Sequence, residues 1–438
     1  MEQELLPRHL QGTLEDALRA SRVVNLIGPR QVGKTTLVRD LLPGGHFATL
    51  DDAAILGALR ADPMGQIELL VARAGEGAVI LDEAQRAPEM ALAIKKAVDG
   101  NRRKGQFLLT GSSNIFTTAA VTDTLAGRVM TLTLLPLSAA EIHRAGPSRM
   151  FDWAAAGADV SKLPAVPRTT RQGVLDLVAR GGYPELRNLT EQRTRTRAYR
   201  AYVDSIVDKD VAELLAVRKT DALRRLVDQL AARSSGELNY DALCSVIGIT
   251  RKTLDPWLDA LERLSIIRRL GSWASGETHR EIRHPKLHLV DTGLLCALRN
   301  LSAESFGLEA NPTVLGALLE TFVFCEVSKS LPHQDSAWDL FHWRDRHGRE
   351  IDILAMCPPA ALVGIEVKAS ASIGAEDFKH LRWFATEGPG RSREMTGVVV
   401  YLGEEAVSFG PRMVALPLQS FWADWSLPAS SPGMSRHA

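Results

Sequence analysis

The chain has 438 residues, room for about three domains of ~150 residues each, and its 45% hydrophobic and 24% charged content excludes a wholly disordered protein. Its 52 Lys and Arg balance 52 Asp and Glu, which excludes a uniformly basic nucleic-acid coat but not local basic patches. Cys244, Cys296, Cys325 and Cys357 form no CxxC pair, the N-terminal segment is acidic, and no apolar run reaches the ~18 residues of a membrane span; the expectation is a cytoplasmic protein with no disulfide scaffold and no membrane contact.

Taken in order, Arg22–Ile27 (RVVNLI) is a short apolar run that breaks at a glycine-containing turn and resumes as a helix. Ala78–Asp82, Phe107–Gly111 and Val129–Leu135 read as buried strands with helical stretches between them, so the first part is predicted to be an α/β core with a parallel sheet. The Pro/Gly/Ala-rich segments Arg144–Met150 and Ala154–Arg168 read as a linker or loose loop. Residues 171–217 read as helical, with Arg193, Arg195, Arg197 and Arg200 forming a basic edge. Three short helical patterns and a β-like IIRRL follow between about 220 and 270. A long helix is then expected at Val314–Lys329, with strands at Asp339–Trp343, Glu350–Ala355, Leu362–Val367 and Gly397–Leu402. The Ser/Pro-rich end is expected to be a disordered tail.

The most specific motif is GPRQVGKTT: Gly28, Pro29, Arg30, Gln31, Val32, Gly33, Lys34, Thr35 and Thr36. It fits G-x-x-x-x-G-K-[ST] between a strand and a helix, where backbone N–H groups at a helix N-terminus can curl around phosphate oxygens. Lys34 is placed to reach the β/γ phosphates of ATP, and the Thr35 hydroxyl to meet Mg2+. The strand VILD ends in Asp82, assigned to the metal, and Glu83, assigned as the base that polarises water. The next strand ends in TGSSN, offering Thr110, Ser112 or Asn114 to orient that water, although such residues are also ordinary turn formers.

This ordered set resembles the AAA+ ATPases, and more narrowly a prokaryotic family that joins such a core to a C-terminal domain of unknown function. The resembling segments are GPRQVGKTT, LDD at Leu50–Asp52, LDEAQRAP, LLTGSSN, LAGRV and RGGYPE. The resemblance implies that Arg128 of LAGRV reaches a neighbouring subunit's nucleotide, and hence a homo-oligomer such as a hexameric ring. Pairing within its own subunit is the other reading of Arg128. GGYP at Gly181–Pro184 resembles an element that related ATPases set beside the adenine, which makes Pro184 an ATP-binding candidate; a plain inter-helix turn is the alternative.

Further on, Tyr240–Ile247, the Gly248 turn and a second helix from near Thr250 have the rhythm of a helix-turn-helix followed by a wing. Arg251 and Lys252 at the start of the second helix, with Arg268 and Arg269 in the wing, are candidate DNA contacts; Arg280, Arg283 and Lys286 continue the basic wing. Pro256 is expected to kink that helix or restart it at Asp255.

In the last part, Glu320 lies on a predicted helix, Asp352 on one strand, and Glu366 and Lys368 on one face of another. A carboxylate from an adjacent strand plus E-x-K resembles the PD-(D/E)xK nuclease superfamily, which implies two acids on Mg2+ and a Lys that positions or helps activate the attacking water; a binding fold without cleavage is the alternative. His342 and His347 are expected in a surface hairpin, and RWF and FWADW as packing residues. PKLHLVDTGLL resembles a segment of the same ATPase family but has no evident chemical role.

The expected organisation is an ATPase core at 1–150, a helical lid at 151–217, a winged helix at 218–284, a nuclease-like α/β domain at 285–415 and a tail at 416–438. The expected function is Mg2+-dependent ATP hydrolysis acting on DNA. Its alternatives are a regulatory nucleotide switch whose C-terminal modules bind a protein partner, and an ATP-regulated DNA nuclease.

Overall fold

The computed structural model describes residues 5–41, 44–112, 127–215, 220–274, 284–307, 311–359 and 361–425. Asn114, Arg280 and Arg283 lie outside the described residues. The chain divides into two compact units, one comprising Arg8–Pro136 and Arg263–Ser265, the other the remaining described residues. The first unit therefore ends at Pro136, short of the expected boundary at 150.

The first unit runs α1 (Leu10–Ala20), β1 (Val23–Ile27), α2 (Lys34–Leu41), β2 (His46–Thr49), α3 (Ala53–Ala61), α4 (Pro63–Ala74), β3 (Val79–Asp82), α5 (Met90–Gly100), β4 (Phe107–Gly111) and β5 (Val129–Thr133). Every pairing in its sheet is parallel, in the order β2-β3-β4-β1-β5. β3 and β4 are buried throughout, which is why they read as uninterrupted apolar runs. β5 departs from its expected burial: among the described strands it stands at the sheet edge beside β1, and Met130 is 40% exposed. The parallel order brings the C-terminal ends of β1, β3 and β4 to one edge, the usual ligand edge of an open α/β sheet.

The second unit begins with helical segments, including α6 (Arg171–Arg180) and α7 (Gln192–Ser205). The stretch expected to be a linker instead carries a helical turn, Met150–Ala155, with Met150, Phe151, Trp153 and Ala154 buried. Its apolar residues explain the difference, and Ala154 O accepts a hydrogen bond from the Thr396 hydroxyl (2.9 Å). Arg195 is likewise buried rather than on a basic edge, donating to Leu189 O (2.7 Å).

Next come α8 (Asp221–Ala232), α9 (Tyr240–Ile247) and α10 (Arg251–Arg263), then β6 (Ile267–Leu270), paired antiparallel with β7 (Lys286–Leu289). Gly248 takes a left-handed conformation (φ 78°) and ends α9 as expected. α10 runs through Pro256 without restarting; a proline there costs a single helical donor, while Leu254, Trp257, Leu258 and Leu261 hold one face in the core. Because β7 completes the hairpin, the expected domain boundary at 284 falls inside a paired element.

The chain continues through α11 (Thr292–Leu298) and α12 (Pro312–Ser330) into β8 (Asp339–Arg344), β9 (Glu350–Cys357), β10 (Ala361–Lys368), α13 (Lys379–Thr386), β11 (Glu394–Tyr401), β12 (Val407–Ser408) and β13 (Met413–Pro417). Their six-stranded mixed sheet has the order β12-β13-β11-β10-β9-β8. Order extends beyond 416: Leu418–Trp422 forms a short helical turn whose Phe421 and Trp422 are buried, so the expected tail boundary at 416 falls within ordered chain. His342 is also buried, its Nε2 3.1 Å from His284 O, because β8 is covered by residues 271–273 rather than lying open. Among the described residues no helix is long and apolar enough to cross a membrane.

Candidate functional site

The turn between β1 and α2 is shaped by two glycines that no residue with a side chain can replace freely. Gly28 has φ 153°, and a Cβ there would stand 2.1 Å from Leu134 O; Gly33 has φ 91°. The first helical bond of α2 is Leu37 N–H to Gly33 O (2.9 Å), which leaves the N–H groups of Lys34, Thr35 and Thr36 as its first-turn donors. The glycines thus stand where the motif sets them, directly before a helix N-terminus.

Lys34 is 6% exposed and donates to Gly28 O (2.9 Å) and Pro29 O (2.7 Å). Burial pulls its ammonium down to about 8, against the opposing pull of Glu83 and Asp82. Thr35 Oγ1 donates to Asp82, 3.0 Å from Oδ1 and 3.1 Å from Oδ2, and Thr110 Oγ1 donates to Asp82 Oδ1. The motif hydroxyl, the acid closing β3 and the hydroxyl near the end of β4 thus converge in one cluster.

Glu83 follows in a left-handed conformation (φ 57°), uncommon for a residue with a side chain and held by the end of β3. Its Oε2 accepts from Gln85 Nε2 (2.6 Å), and the same amide reaches Ser112 Oγ (3.2 Å). The sequence gives Gln85 no motif of its own; its one signal is its place two residues after Glu83 in LDEAQ. Asp52 caps α3, accepting from Ala54 N and Ile55 N, and Asp51 pairs with Arg86 (2.5 Å), so the LDD segment is structural here. Arg128 Nε donates to Asp99 Oδ1 (2.7 Å) within the same unit.

GGYP and VDTG, separate motifs in the sequence, prove to be two halves of one junction in the second unit. Asp291 caps α11, accepting from Leu294 N (2.9 Å) through Oδ1 and from Gly182 N (2.6 Å) through Oδ2. Gly181 (φ 71°) cannot carry a Cβ, which would lie 2.3 Å from Asp291 Oδ1. Pro184 opens the short helix that follows. These contacts give both motifs a packing role.

The candidate DNA contacts separate into two groups. Arg251 donates to Asp255 (2.7 Å) and covers the Tyr240 ring at 3.4 Å, while Arg269 donates to Glu262 (2.7 Å) and Asp259 (2.7 Å). Lys252 and Arg268 are exposed.

Glu320, Asp352, Glu366 and Lys368, grouped by the resemblance, lie close together. Lys368 Nζ lies 3.3 Å from Glu366 Oε2 on the shared face of β10. A fifth participant corrects the sequence reading: Lys286, expected in the exposed wing, is 2% exposed and paired with Glu320, Glu350 and Asp352. Burial, then Asp352, push the Glu320 carboxyl up to about 8. Burial alone would lower Lys286, but Asp352, Glu320 and Glu350 outweigh it and hold it well above the usual lysine range.

With this geometry established, residues 20–143 match the family model described as AAA domain, 171–305 a domain of unknown function (DUF8612) and 315–421 a domain of unknown function (DUF4143). Uncharacterized proteins of Mycobacterium bovis and Mycobacterium tuberculosis are each 26% identical over 422 residues, covering 94% of this chain and 83% of their own. Among solved structures, the Walker-type ATPase PABY2304 of Pyrococcus abyssi aligns at 16% identity and TM-score 0.38, over 68% of this chain and 99% of its own. The signal transduction ATPase with a tetratricopeptide repeat sensor, PH0952 of Pyrococcus horikoshii, aligns at 13% identity and TM-score 0.27, over 76% and 46%. The chain thus carries an AAA-type P-loop domain toward its N-terminus and a DUF4143 domain toward its C-terminus.

Proposed function

We propose that the chain is an Mg2+-dependent ATPase. The observation that carries this reading is the convergence of Lys34, Thr35, Asp82 and Glu83 at the β1–α2 turn. The residues fit both ligands: the glycine turn and first-turn N–H groups suit phosphate, and the Thr35 hydroxyl with the Asp82 carboxylate are the hard oxygen donors that Mg2+ prefers. Bound there, the ion would neutralise phosphate charge. Lys34 would exchange its loop carbonyls for phosphate oxygens, and Glu83 Oε2, released from Gln85, would take the proton of the attacking water. Phosphate release by the full chain with Mg·ATP tests it. Glu83→Gln should lower turnover by about 10²–10⁴-fold while retaining ATP. Absence of Mg2+-dependent adenine-nucleotide binding would sink the proposal.

Arg128 is proposed to leave Asp99 for a neighbour's nucleotide in an active homo-oligomer such as a hexameric ring. Arg128→Ala should then lose about 10³-fold or more in turnover with ATP affinity intact. Equal loss of both would return Arg128 to a structural pair.

For the partner, the commitment of Arg251, Arg269 and Lys286 to intrachain acids favours a regulatory switch engaging a protein, over the DNA-acting role expected from sequence. DNA-stimulated hydrolysis that falls steeply with salt, and weakens on Lys252→Ala/Arg268→Ala, would reverse that preference.

A further inference from the structure

Lys286 Nζ lies 2.8 Å from Glu320 Oε1, 2.5 Å from Glu350 Oε1 and 3.1 Å from Asp352 Oδ1. One strand of the β6–β7 hairpin therefore delivers a cation to acids from α12 and β9. The other Asp352 oxygen, Oδ2, accepts from Val367 N–H (2.9 Å). Glu366 is 6% exposed; its Oε2 meets Lys368, and its Oε1 is buried with no hydrogen-bond partner. Four acids thus share two lysines, and three of the acids share one of them.

The nuclease resemblance would give this centre to Mg2+, which demands oxygens at about 2.0–2.1 Å in octahedral order. The residues do not fit that ion as they stand. Both Asp352 oxygens already accept hydrogen bonds, and Glu320 is committed to Lys286. Among the described residues no group of three or more His, Cys, Asp or Glu is arranged to hold a metal.

We propose that Lys286 is the resident cation of this acidic centre, its ammonium holding Glu320, Glu350 and Asp352 together where the nuclease resemblance would call for a divalent ion. The centre then serves as a clamp that ties β7 to α12 and β9, and it does not cleave phosphodiesters by metal-assisted hydrolysis. Removing the lysine leaves Glu320, Glu350 and Asp352 facing one vacated point, with Glu366 Oε1 still lacking a donor. Hard carboxylate oxygens so placed suit a divalent ion. A single substitution should therefore convert the clamp into a metal site.

The test counts Mn2+ ions bound per chain by electron paramagnetic resonance, on the full-length protein without nucleotide. Wild type and Asp352→Asn should bind the same number. Lys286→Met should bind one more, and Lys286→Met/Asp352→Asn should lose it again. A drop in the wild-type count on Asp352→Asn, or a folded Lys286→Met that gains no ion, would overturn the proposal. So would Mn2+-dependent nicking of supercoiled DNA that disappears in Asp352→Asn. If Lys286→Met does not fold, the wild-type comparison and the nicking assay still decide, and Lys286→Arg should fold and gain no ion. The counts omit nucleotide and compare only variants of residues 286 and 352, which keeps this result separate from the nucleotide reading.

Discussion

Lys34 and Lys286 are both almost wholly buried, at 6% and 2% exposed, yet their surroundings differ in kind. Lys34 donates to two backbone carbonyls, and burial depresses its ammonium to about 8. Lys286 has three carboxylates around it and is held firmly charged. A buried cation with only neutral acceptors bears a desolvation cost that an incoming anion can relieve, whereas one already surrounded by acids has no such debt. The first lysine is poised for a ligand. The second has its counter-ions built in.

Substitution should separate the two most sharply. Lys286→Met removes the partner of buried acids and should cost about 3–5 kcal/mol of stability, seen as a lower denaturant midpoint with unchanged slope. Lys34→Met should stay within ~1 kcal/mol of wild type, since it loses only hydrogen bonds to carbonyls, while nucleotide binding is abolished. Equal destabilisation by the two would erase the distinction.

The pH dependence sharpens the contrast. A folded-state value near 8, below the ordinary 10.5, means the unfolded chain holds the Lys34 proton between those pH values while the native chain has released it. Lys34 therefore adds to stability as pH rises through that window. Phosphate favours the charged form, so ATP affinity should fall by up to about tenfold per pH unit above about 8 as binding must take up a proton. Isothermal titration in buffers of different ionisation enthalpy measures that uptake. In Lys34→Arg the fall should vanish, because a guanidinium stays charged. Lys286, held above the usual lysine range, should add no such break to ATP affinity.

What the sequence disclosed follows the same division. The nucleotide cradle is local: nine consecutive residues carry their own glycines, lysine and hydroxyls, and the adjoining β3 and β4 announce themselves as apolar runs because a parallel sheet buries both faces. Lys286 was unreadable because its counter-ions lie at 320, 350 and 352, so that its charge suggested an exposed wing until β7 paired with β6. His342 misled for the same reason, its cover coming from residues 271–273. GGYP and DTG could each be noticed, but their union through Asp291 spans more than a hundred residues.

Gln85 offers the smallest and most discriminating effect at the nucleotide end. Its amide bridges Glu83 Oε2 and Ser112 Oγ, so in the nucleotide-free chain the proposed base is occupied by a neutral donor. A hydrogen bond of this kind is worth about 0.5–1.5 kcal/mol, roughly two- to twelvefold in a rate or equilibrium. If Gln85 withholds Glu83, Gln85→Ala should raise basal hydrolysis within that range at unchanged KM. If it instead orients Glu83 for water, the same substitution should lower kcat by a similar factor. Gln85→Glu places a second carboxylate beside Glu83 and should raise the lower pH limit of kcat, because like charges disfavour the ionised base. A kcat profile unmoved by either variant would leave Glu83 acting without Gln85, and the αL turn at the end of β3 would alone set its position.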